Sequence, residues 1–459
     1  MKTKTTVILL GIFAVLLAAV LLFESRTKVR KETEEKAKKL VDLTSADVEK
    51  ITLKNEDGTI TFKKDDKGEW LIIEPLEAKA DSSEVSRLAE DFSTLKFERV
   101  IEAEGGDPAK YEIPKKELTL WYKGQAQPVK LLIGMENPLD NTLFAKREDD
   151  KRIVLLASFL KSNLEKKMFD FRQKDIFKFE PEDVGSIKLK AKDISWQAQK
   201  KEAEWFLESP VKALAKKSRV EDVLRALSNL RAKEFVAEQK QEAEVAKFGL
   251  KEPDYSVTLS LPAMNQEVIF SLHKQDEIVY ATTSISTKIV TAEGQVLTDI
   301  ENKVEDLREK QVVVFNSWEA SKVSVKKGDL MLTVGKDRDN KWQFEGTAKE
   351  EADGSRVETF LRKIESLEAV EFIDSPAELQ TYGLAPAQAE VTVWTKDGEK
   401  EKEFRVLVGT EDPANKQVVL KNPNLDYLFR VDSAFLAEFP KEVKDWKPAA
   451  PEKKKEIKQ

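Results

Sequence analysis

The fold of this chain is decided by three stretches that each begin with tryptophan: W-L-I-I-E-P at residues 70–75, W-F-L-E-S-P at residues 205–210 and W-Q-F-E-G-T at residues 342–347. The spacing from Trp70 to Trp205 is almost the same as the spacing from Trp205 to Trp342. Solenoid repeats have periods of roughly 20 to 50 residues, whereas the much longer period seen here is the size of an ordinary domain. The sequence therefore predicts three tandem copies of one domain.

A second motif keeps the same period. It is an aromatic residue, any residue and an apolar residue, with a proline close behind, and it begins at Tyr111, Phe248 and Tyr382. Two motifs that stay in phase over three copies are not expected by chance. We place copy 1 at residues 44–177, copy 2 at residues 180–315 and copy 3 at residues 316–447.

Within copy 1 the residues predict strands, then a helix. Alternating apolar residues at 48–53 and 59–63 flank the turn signal Asp57-Gly58, which is typical of a β-hairpin, and a third strand at 70–73 ends at Pro75. Asp81 is then the predicted N-cap of a helix with apolar residues on one face. The three copies share this face: Val85, Leu88, Phe92 and Leu95; Val220, Val223, Leu227 and Leu230; Val357, Phe360, Ile364 and Leu367.

More strands follow this helix, and a second helix closes the unit. The strands are predicted at 118–122, 129–133, 142–146 and 153–155, and the closing helix begins near Ser158. Runs of antiparallel strands with separate helices are typical of an α+β domain and not of a parallel α/β domain.

The first 24 residues predict a membrane anchor. Val7 to Phe23 contains no charge, and Thr5 and Thr6 extend the run to a length that spans roughly 28 Å as a helix, close to the hydrocarbon thickness of about 30 Å. A cleaved signal peptide is the alternative, but its apolar region is usually shorter and ends in a small-x-small site. Residues 25–43 are rich in Lys, Glu and Ala and predict a charged helical stalk, and residues 448–459 predict a disordered tail.

The predicted orientation places most of the chain outside the cytoplasm. Short N-terminal tails with a few positive charges usually stay inside, and no second span returns the chain, although Lys and Arg flank the run on both sides. We therefore expect a protein of the bacterial inner membrane with its domains on the periplasmic side. The lipid bilayer, contacted through residues 5–23, is its first predicted partner.

Composition excludes two classes of function. The chain has 77 Lys and Arg against 84 Asp and Glu, with a net charge of −7, so it lacks the basic excess of a nucleic-acid-binding protein. It has no Cys and one His, His273, so neither disulfides nor a zinc site built on Cys or several His is expected. We predict no cofactor and no metal.

The remaining motifs each have a structural interpretation that we prefer. His273 lies where the other copies have Gly134 and Gly409, and we expect a surface or turn role for it. Asp337 to Asn340 resembles a calcium loop without its Gly and distal Glu, and a hairpin turn is the better interpretation. Ser158 and Lys161 fit S-x-x-K, a spacing used by serine acylases, but Ser433 recurs in copy 3 without the Lys, so we expect both serines to be helix N-caps.

The combined order of motifs resembles a known family. The anchor, the W-x-x-x-x-P stretch, the Y-G-L-x-x-P motif at Tyr382, the V-G pair ending at Gly409 and the L-R-x-K motif at Leu307 to Lys310 are similar to the bacterial domain-of-unknown-function family 4340. The resemblance covers most of the chain after residue 44. It implies a membrane-anchored envelope protein, often encoded beside gliding-motility-type ABC transporters, with no established catalytic residues. Glu112 replaces the usual Gly in copy 1, so we expect no tight left-handed turn there.

Three functional hypotheses remain open at this stage. The first is a non-enzymatic scaffold or accessory subunit of an ABC-type membrane transport complex. The second is a module that binds envelope polysaccharide or peptidoglycan, for which the three tryptophans could form a platform, although their place at the start of apolar strands favours core packing. The third is a hydrolase without a recognisable motif. We predict no catalytic, cofactor-binding or metal-binding residue, no nucleic acid partner and no small-molecule ligand.

Overall fold

The structure of the chain is a computed structural model that describes residues 37–346, 350–397 and 400–448. The chain divides into two compact units, the first ending at Lys174 and the second beginning at Asp175. The predicted anchor, most of the predicted stalk and nearly all of the predicted tail lie outside these residues. Among the described residues, no helix is both long enough and apolar enough to cross a membrane.

The first unit contains one antiparallel sheet of nine strands in the order β4-β3-β2-β1-β6-β7-β8-β9-β5. The strands are β1 Val48–Asn55, β2 Gly58–Lys64, β3 Trp70–Glu74, β4 Ala78–Lys79, β5 Arg99–Glu102, β6 Lys116–Tyr122, β7 Val129–Glu136, β8 Leu143–Arg147 and β9 Ile153–Leu156. The helices are α1 Ser82–Ser93, α2 Leu160–Leu164 and α3 Met168–Phe171, with short 3-10 helices at Ser45–Asp47 and Pro108–Tyr111.

The second unit contains two further antiparallel sheets. The sheet of copy 2 repeats the strand order of copy 1, and the sheet of copy 3 has the same order with one short edge strand fewer in the described part. Copy 2 has β10 Ser186–Ala191, β11 Ser195–Lys201, β12 Glu204–Ser209, β13 Ala213–Leu214, β14 Glu234–Ala237, β15 Tyr255–Leu261, β16 Gln266–Gln275, β17 Ile278–Thr283 and β18 Ile289–Ala292. Copy 3 has β19 Ala320–Lys327, β20 Leu330–Lys336, β21 Trp342–Phe344, β22 Glu371–Ile373, β23 Ala389–Asp397, β24 Lys400–Asp412, β25 Gln417–Lys421 and β26 Leu428–Asp432.

The helices of this unit follow the same plan. They are α4 Lys217–Ser228, α5 Glu242–Lys247, α6 Gln295–Ile300, α7 Val304–Leu307 and α8 Gly354–Glu365, with 3-10 helices at Pro181–Asp183, Pro262–Met264, Ser317–Glu319, Leu379–Tyr382, Ser433–Glu438 and Val443–Trp446. The α+β class, the three antiparallel sheets and the hairpin around Asp57-Gly58 are confirmed.

One long helix packs on the sheet in each copy, because one of its faces is apolar. Asp81 and Asp353 cap α1 and α8 by accepting backbone N–H groups of the first turn, as predicted for Asp81, whereas Lys216 gives α4 no side-chain cap. The predicted faces are buried, but the fourth residue of each lies just past the helix end. The backbone carbonyl of this fourth residue accepts a hydrogen bond from the chain segment that precedes the first strand of the same sheet. The donors are the backbone N–H groups of Leu40 to Leu95 O (2.8 Å), of Ile176 to Leu230 O (3.1 Å) and of Val312 to Leu367 O (3.0 Å). Residues 38–43, assigned to the stalk from the sequence, thus run along copy 1.

A lysine fixes the first hairpin of each copy at the same place. Lys64 Nζ donates to Ala46 O (3.1 Å), Lys200 Nζ to Glu182 O (2.8 Å) and Lys336 Nζ to Trp318 O (3.4 Å). The three donors are evenly spaced along the chain. The repeat therefore extends to individual side-chain contacts.

The expectation about Glu112 is wrong. Its φ is 55°, in the left-handed region, like that of Gly249 (68°) and Gly383 (64°) in the other copies. The backbone N–H of Glu112 still closes the turn on Ala109 O (3.2 Å), so the fold imposes the conformation at a cost of about 1 kcal/mol. The close approach next to this turn needs glycine, since a Cβ on Gly134 would lie 2.1 Å from Tyr111 O.

Candidate functional site

The most distinctive cluster of the second unit lies where copy 2 meets copy 3, and we call it the junction. Arg308, one residue past the end of α7, is only 6% exposed. Its Nη2 and Nη1 donate to the two carboxylate oxygens of Asp374 in copy 3, at 2.7 and 3.0 Å. Its guanidinium carbon lies 3.6 Å from the centre of the Phe372 ring. A fork-like ion pair and an aromatic ring thus hold the same arginine.

Tyr427 completes the junction from the side of copy 3. Its hydroxyl accepts a hydrogen bond from the backbone N–H of Leu214 in copy 2 (3.2 Å), and its ring centre lies 5.0 Å from the guanidinium carbon of Arg308. Burial raises the pKa of Tyr427, while the bond from Leu214 acts in the opposite direction. The neutral phenol is therefore the form that the folded junction favours.

Further hydrogen bonds and a shared apolar core also connect copy 2 with copy 3. Besides the Val312–Leu367 bond, Ala369 N–H donates to Lys310 O (2.8 Å), and Asn422 Nδ2 donates to Val312 O (3.0 Å). Buried apolar residues form one continuous cluster from Phe179 in copy 2 to Trp446 in copy 3. Copies 2 and 3 therefore belong to one compact unit with a continuous core.

A cleft of about 620 Å³ opens beside Arg308. Its apolar lining is Ile194, Pro210, Val211, Val304 and Phe372, and its polar lining is Asp193, Ser195, Lys303, Glu305, Arg308 and Asp374. Half-buried aliphatic side chains next to fixed charges are what a protein–protein contact uses, since the apolar centre supplies burial and the charges set orientation.

The sequence did not predict this site. The L-R-x-K motif contains Arg308 but assigns it no role, and neither Asp374 nor Tyr427 belongs to a motif. The structure aligns Asp374 of copy 3 with Ala237 of copy 2 and with Glu102 of copy 1. A carboxylate at this position is therefore not specific to copy 3, and a comparison of the copies contains no signal for the contact.

The three tryptophans that begin the repeat motif are core residues, as we preferred. Trp70, Trp205 and Trp342 are 3%, 1% and 3% exposed. Trp70 Nε1 donates to Ser86 Oγ (3.2 Å) in α1, which ties the third strand to the helix. None of these three rings has a face open to a sugar.

His273 lies inside β16, two residues before its end, and its Nδ1 is 2.9 Å from a carboxylate oxygen of Asp254. Its ring packs on Gly249, where an added Cβ would lie 2.1 Å from His273 Cδ2. Among the described residues, no three His, Asp or Glu side chains are grouped so that they could hold a metal ion. The structure therefore gives His273 a packing role beside the turn at Gly249.

The remaining motifs are structural, with one correction. Asp337 to Asn340 is the predicted hairpin turn between β20 and β21, and Asp337 Oδ1 accepts from the backbone N–H groups of Asp339 and Lys341. The predicted N-cap roles of Ser158 and Ser433 are wrong. Phe159 occupies the cap position of α2, and Asp432 caps the 3-10 helix that begins at Ser433. A preceding residue therefore does the capping in copy 3, and Ser433 is buried.

High pH should weaken the junction through Tyr427. The folded pKa of this tyrosine is raised above its ordinary value of 10.0, so the stability that the neutral phenol provides is present below about pH 10 and is lost as the pH rises through the folded pKa. We expect the free energy of unfolding of the wild type to fall above about pH 10 more steeply than that of Tyr427→Phe. Denaturant unfolding at several pH values measures this, and identical pH profiles would contradict it.

One comparison with known proteins identifies the family. The model of the family described as "Domain of unknown function (DUF4340)" matches residues 70–244 and 205–385. The two matches begin at Trp70 and Trp205 and are thus one repeat apart. No curated protein matches the chain.

Solved structures add no argument. A DNA polymerase sliding clamp from Pseudomonas aeruginosa is 8% identical, and the match covers 85% of this chain and 93% of the clamp. A DNA polymerase III subunit beta from the same organism is 9% identical, and the match covers 85% of this chain and 94% of that subunit. Their TM-scores are 0.17, which is too low to support a shared fold. The family match, in contrast, covers more than half of the chain and follows its internal repeat. The chain belongs to the DUF4340 family.

Proposed function

We propose that this chain is a non-enzymatic, membrane-anchored envelope protein that acts as a scaffold or accessory subunit of an ABC-type membrane transport complex. The observation that carries the proposal is the junction, which joins copies 2 and 3 in one compact unit with an apolar, charge-rimmed cleft. A scaffold needs such a body, because a contact surface of fixed shape binds without first ordering a flexible linker.

The sequence supports the membrane part of the proposal. A single uncharged run from Val7 to Phe23 can anchor the chain in the inner membrane but cannot itself form a transport pathway. Any transport role must therefore be exercised through another membrane protein. Anchoring confines both proteins to one membrane and raises their effective concentration, so a weak contact at the cleft suffices.

Site-specific crosslinking in cells tests this proposal. A photoreactive phenylalanine analogue replaces Val211 in the cleft, and the matched control carries it at Met264, which is 55% exposed in the same copy and does not line the cleft. We expect the Val211 position to capture a membrane protein that co-purifies with ABC-type transporter subunits, and the Met264 position to capture much less.

Two kinds of outcome would contradict the proposal. Repeated preparations without a membrane protein at Val211, or equal capture at both positions, would contradict a role for the cleft. A topology reporter fused after Gln459 and found in the cytoplasm would contradict the proposed location of the domains.

A further inference from the structure

The chain runs into copy 1 in the same register in which it runs into copy 3. Three hydrogen bonds recur at equivalent residues. In copy 1 they are Leu40 N–H to Leu95 O (2.8 Å), Phe97 N–H to Lys38 O (2.9 Å) and Arg147 Nη1 to Leu40 O (3.1 Å). In copy 3 they are Val312 N–H to Leu367 O (3.0 Å), Ala369 N–H to Lys310 O (2.8 Å) and Asn422 Nδ2 to Val312 O (3.0 Å). Lys38 therefore takes the place of Lys310.

The residues before these contacts also correspond. Arg308 stands two residues before Lys310, and Lys36 stands two residues before Lys38. Copies 1 and 3 are thus both preceded by a cation, one other residue and a lysine. Before copy 3 this cation is the arginine of the junction, which pairs with Asp374. Lys36 is therefore the residue of the predicted stalk that matches the junction arginine.

Copy 1 carries a carboxylate for this cation. Glu102 is the last residue of β5, and Asp374 directly follows β22, the equivalent strand. The residues before them, Ile101 and Ile373, both pack on the smaller apolar cluster of their copy. Glu102 is half-buried and accepts the Tyr111 hydroxyl (3.1 Å), and it has no ion pair in the part of the chain that the structure describes. An ionised carboxylate has room for further donors, so Glu102 can also receive a lysine.

We propose that the end of the predicted stalk docks on copy 1 through an ion pair between Lys36 and Glu102, the counterpart of the pair between Arg308 and Asp374. The occupant belongs to the same chain, because the carbonyl of Lys38, two residues further along, is already held on copy 1. This tether gives Lys36 an effective concentration at Glu102 that a separate molecule lacks.

This contact is weaker than the junction. A lysine offers a point charge and not the planar fork of an arginine. Val100 stands where copy 3 has Phe372, so no aromatic face stacks on the cation. Glu35 stands where copy 2 has Leu307, which is buried, so the correspondence ends at Lys36. The stalk therefore docks reversibly.

Docking decides how firmly copy 1 is held to the chain that leads to the predicted anchor. The docked state keeps copy 1 at a fixed angle to the stalk, whereas the undocked state lets copy 1 swing. This consequence rests on the proposed function, because it requires the membrane anchor. The ion pair itself does not.

Zero-length crosslinking of the full chain in an uncharged detergent tests the pair. A carbodiimide activates a carboxylate, which then forms an amide with a lysine amine that is in contact with it, and mass spectrometry identifies the linked peptides. We expect a product between Lys36 and Glu102 that exceeds the products of Lys36 with Glu98 and Glu104, the glutamates on either side.

Exchanging the two charges separates a specific pair from mere proximity. Lys36→Glu and Glu102→Lys should each abolish the product, and the double variant should restore it with the two roles exchanged. The control is the ion pair of Lys54 with Glu117 (2.9 Å), elsewhere on copy 1. It should crosslink in every variant, which shows that copy 1 remains folded.

The mobility of the stalk is the second readout. The chain has no cysteine, so Thr33→Cys provides a single site for a nitroxide label. We expect Glu102→Gln to shift the spectrum of the label toward faster motion, because it removes the charge that holds Lys36. Glu104→Gln is the matched control and should leave the spectrum unchanged.

Several results would overturn the proposal. They are the absence of a Lys36–Glu102 product when the control pair crosslinks, a Lys36 product only with Glu32 one helical turn away, equal products with the flanking glutamates, and unchanged mobility in Glu102→Gln. Mixing isotope-labelled and unlabelled chains adds one more, since a product that joins two chains would assign Glu102 to a second molecule. The crosslinking at Val211 is independent of these results, because Val211 lies in the second unit.

Discussion

Replacing Trp205 with alanine lowers the free energy of unfolding of the second unit by about 3 to 5 kcal/mol, because it removes a fully buried indole and leaves a cavity. Trp205 belongs to the apolar cluster that runs through copies 2 and 3, so the loss should appear in both copies and not only in copy 2. Denaturant unfolding combined with hydrogen exchange of peptides from each copy measures the effect.

Trp318 supplies the control for this experiment. It is 74% exposed on the 3-10 helix Ser317–Glu319, so Trp318→Ala should change the free energy of unfolding by less than about 0.5 kcal/mol. An equal effect of the two substitutions would contradict the core assignment of Trp205. A loss confined to copy 2 would contradict the shared core.

Replacing Arg308 with alanine should destabilise the second unit by about 2 to 3 kcal/mol, because it removes two charge-assisted hydrogen bonds and the contact with Phe372. The expected cost stays below that of a fully buried ion pair, since the side chain of Asp374 is 41% exposed and water can solvate it in the variant. Arg308→Lys should recover little, because an ammonium group can neither form the fork with Asp374 nor stack on the ring.

A double-mutant cycle of Arg308→Ala and Asp374→Ala isolates the pair, and we expect a coupling energy of about 1 to 3 kcal/mol. Lys310→Ala, two residues further along and exposed, is the control and should have little effect. A coupling energy near zero would mean that Arg308 is held by packing alone and that the ion pair does not fix the junction.

The parts of the fold that depend on local sequence could be predicted. The hairpin around Asp57-Gly58, the strand that begins at Trp70 and the helix capped by Asp81 each have a nearby physical cause, and all three are present. The helix ends could not be predicted in the same way. Leu95 continues the apolar spacing of the helix, but its backbone carbonyl accepts a hydrogen bond from Leu40 N–H. A periodic pattern shows which face is buried but not where the backbone hydrogen bonds change partners.

The parts that depend on contacts between distant residues could not be predicted. Asp374 lies far from Arg308 in the sequence, and no local pattern connects them. At Glu112 the local sequence led to the wrong prediction. Glutamate disfavours the left-handed conformation, but the rest of copy 1 imposes it.

The proposed scaffold requires copies 2 and 3 to form one body, and native-state hydrogen exchange of the full chain tests this most directly. With increasing denaturant, the slowest amides of α4 in copy 2 and of α8 in copy 3 should exchange through the same opening, with the same free energy and the same denaturant dependence. Exchange of the slowest α8 amides at a clearly lower free energy, while α4 stays protected, would show that copy 3 unfolds alone and would contradict the single body.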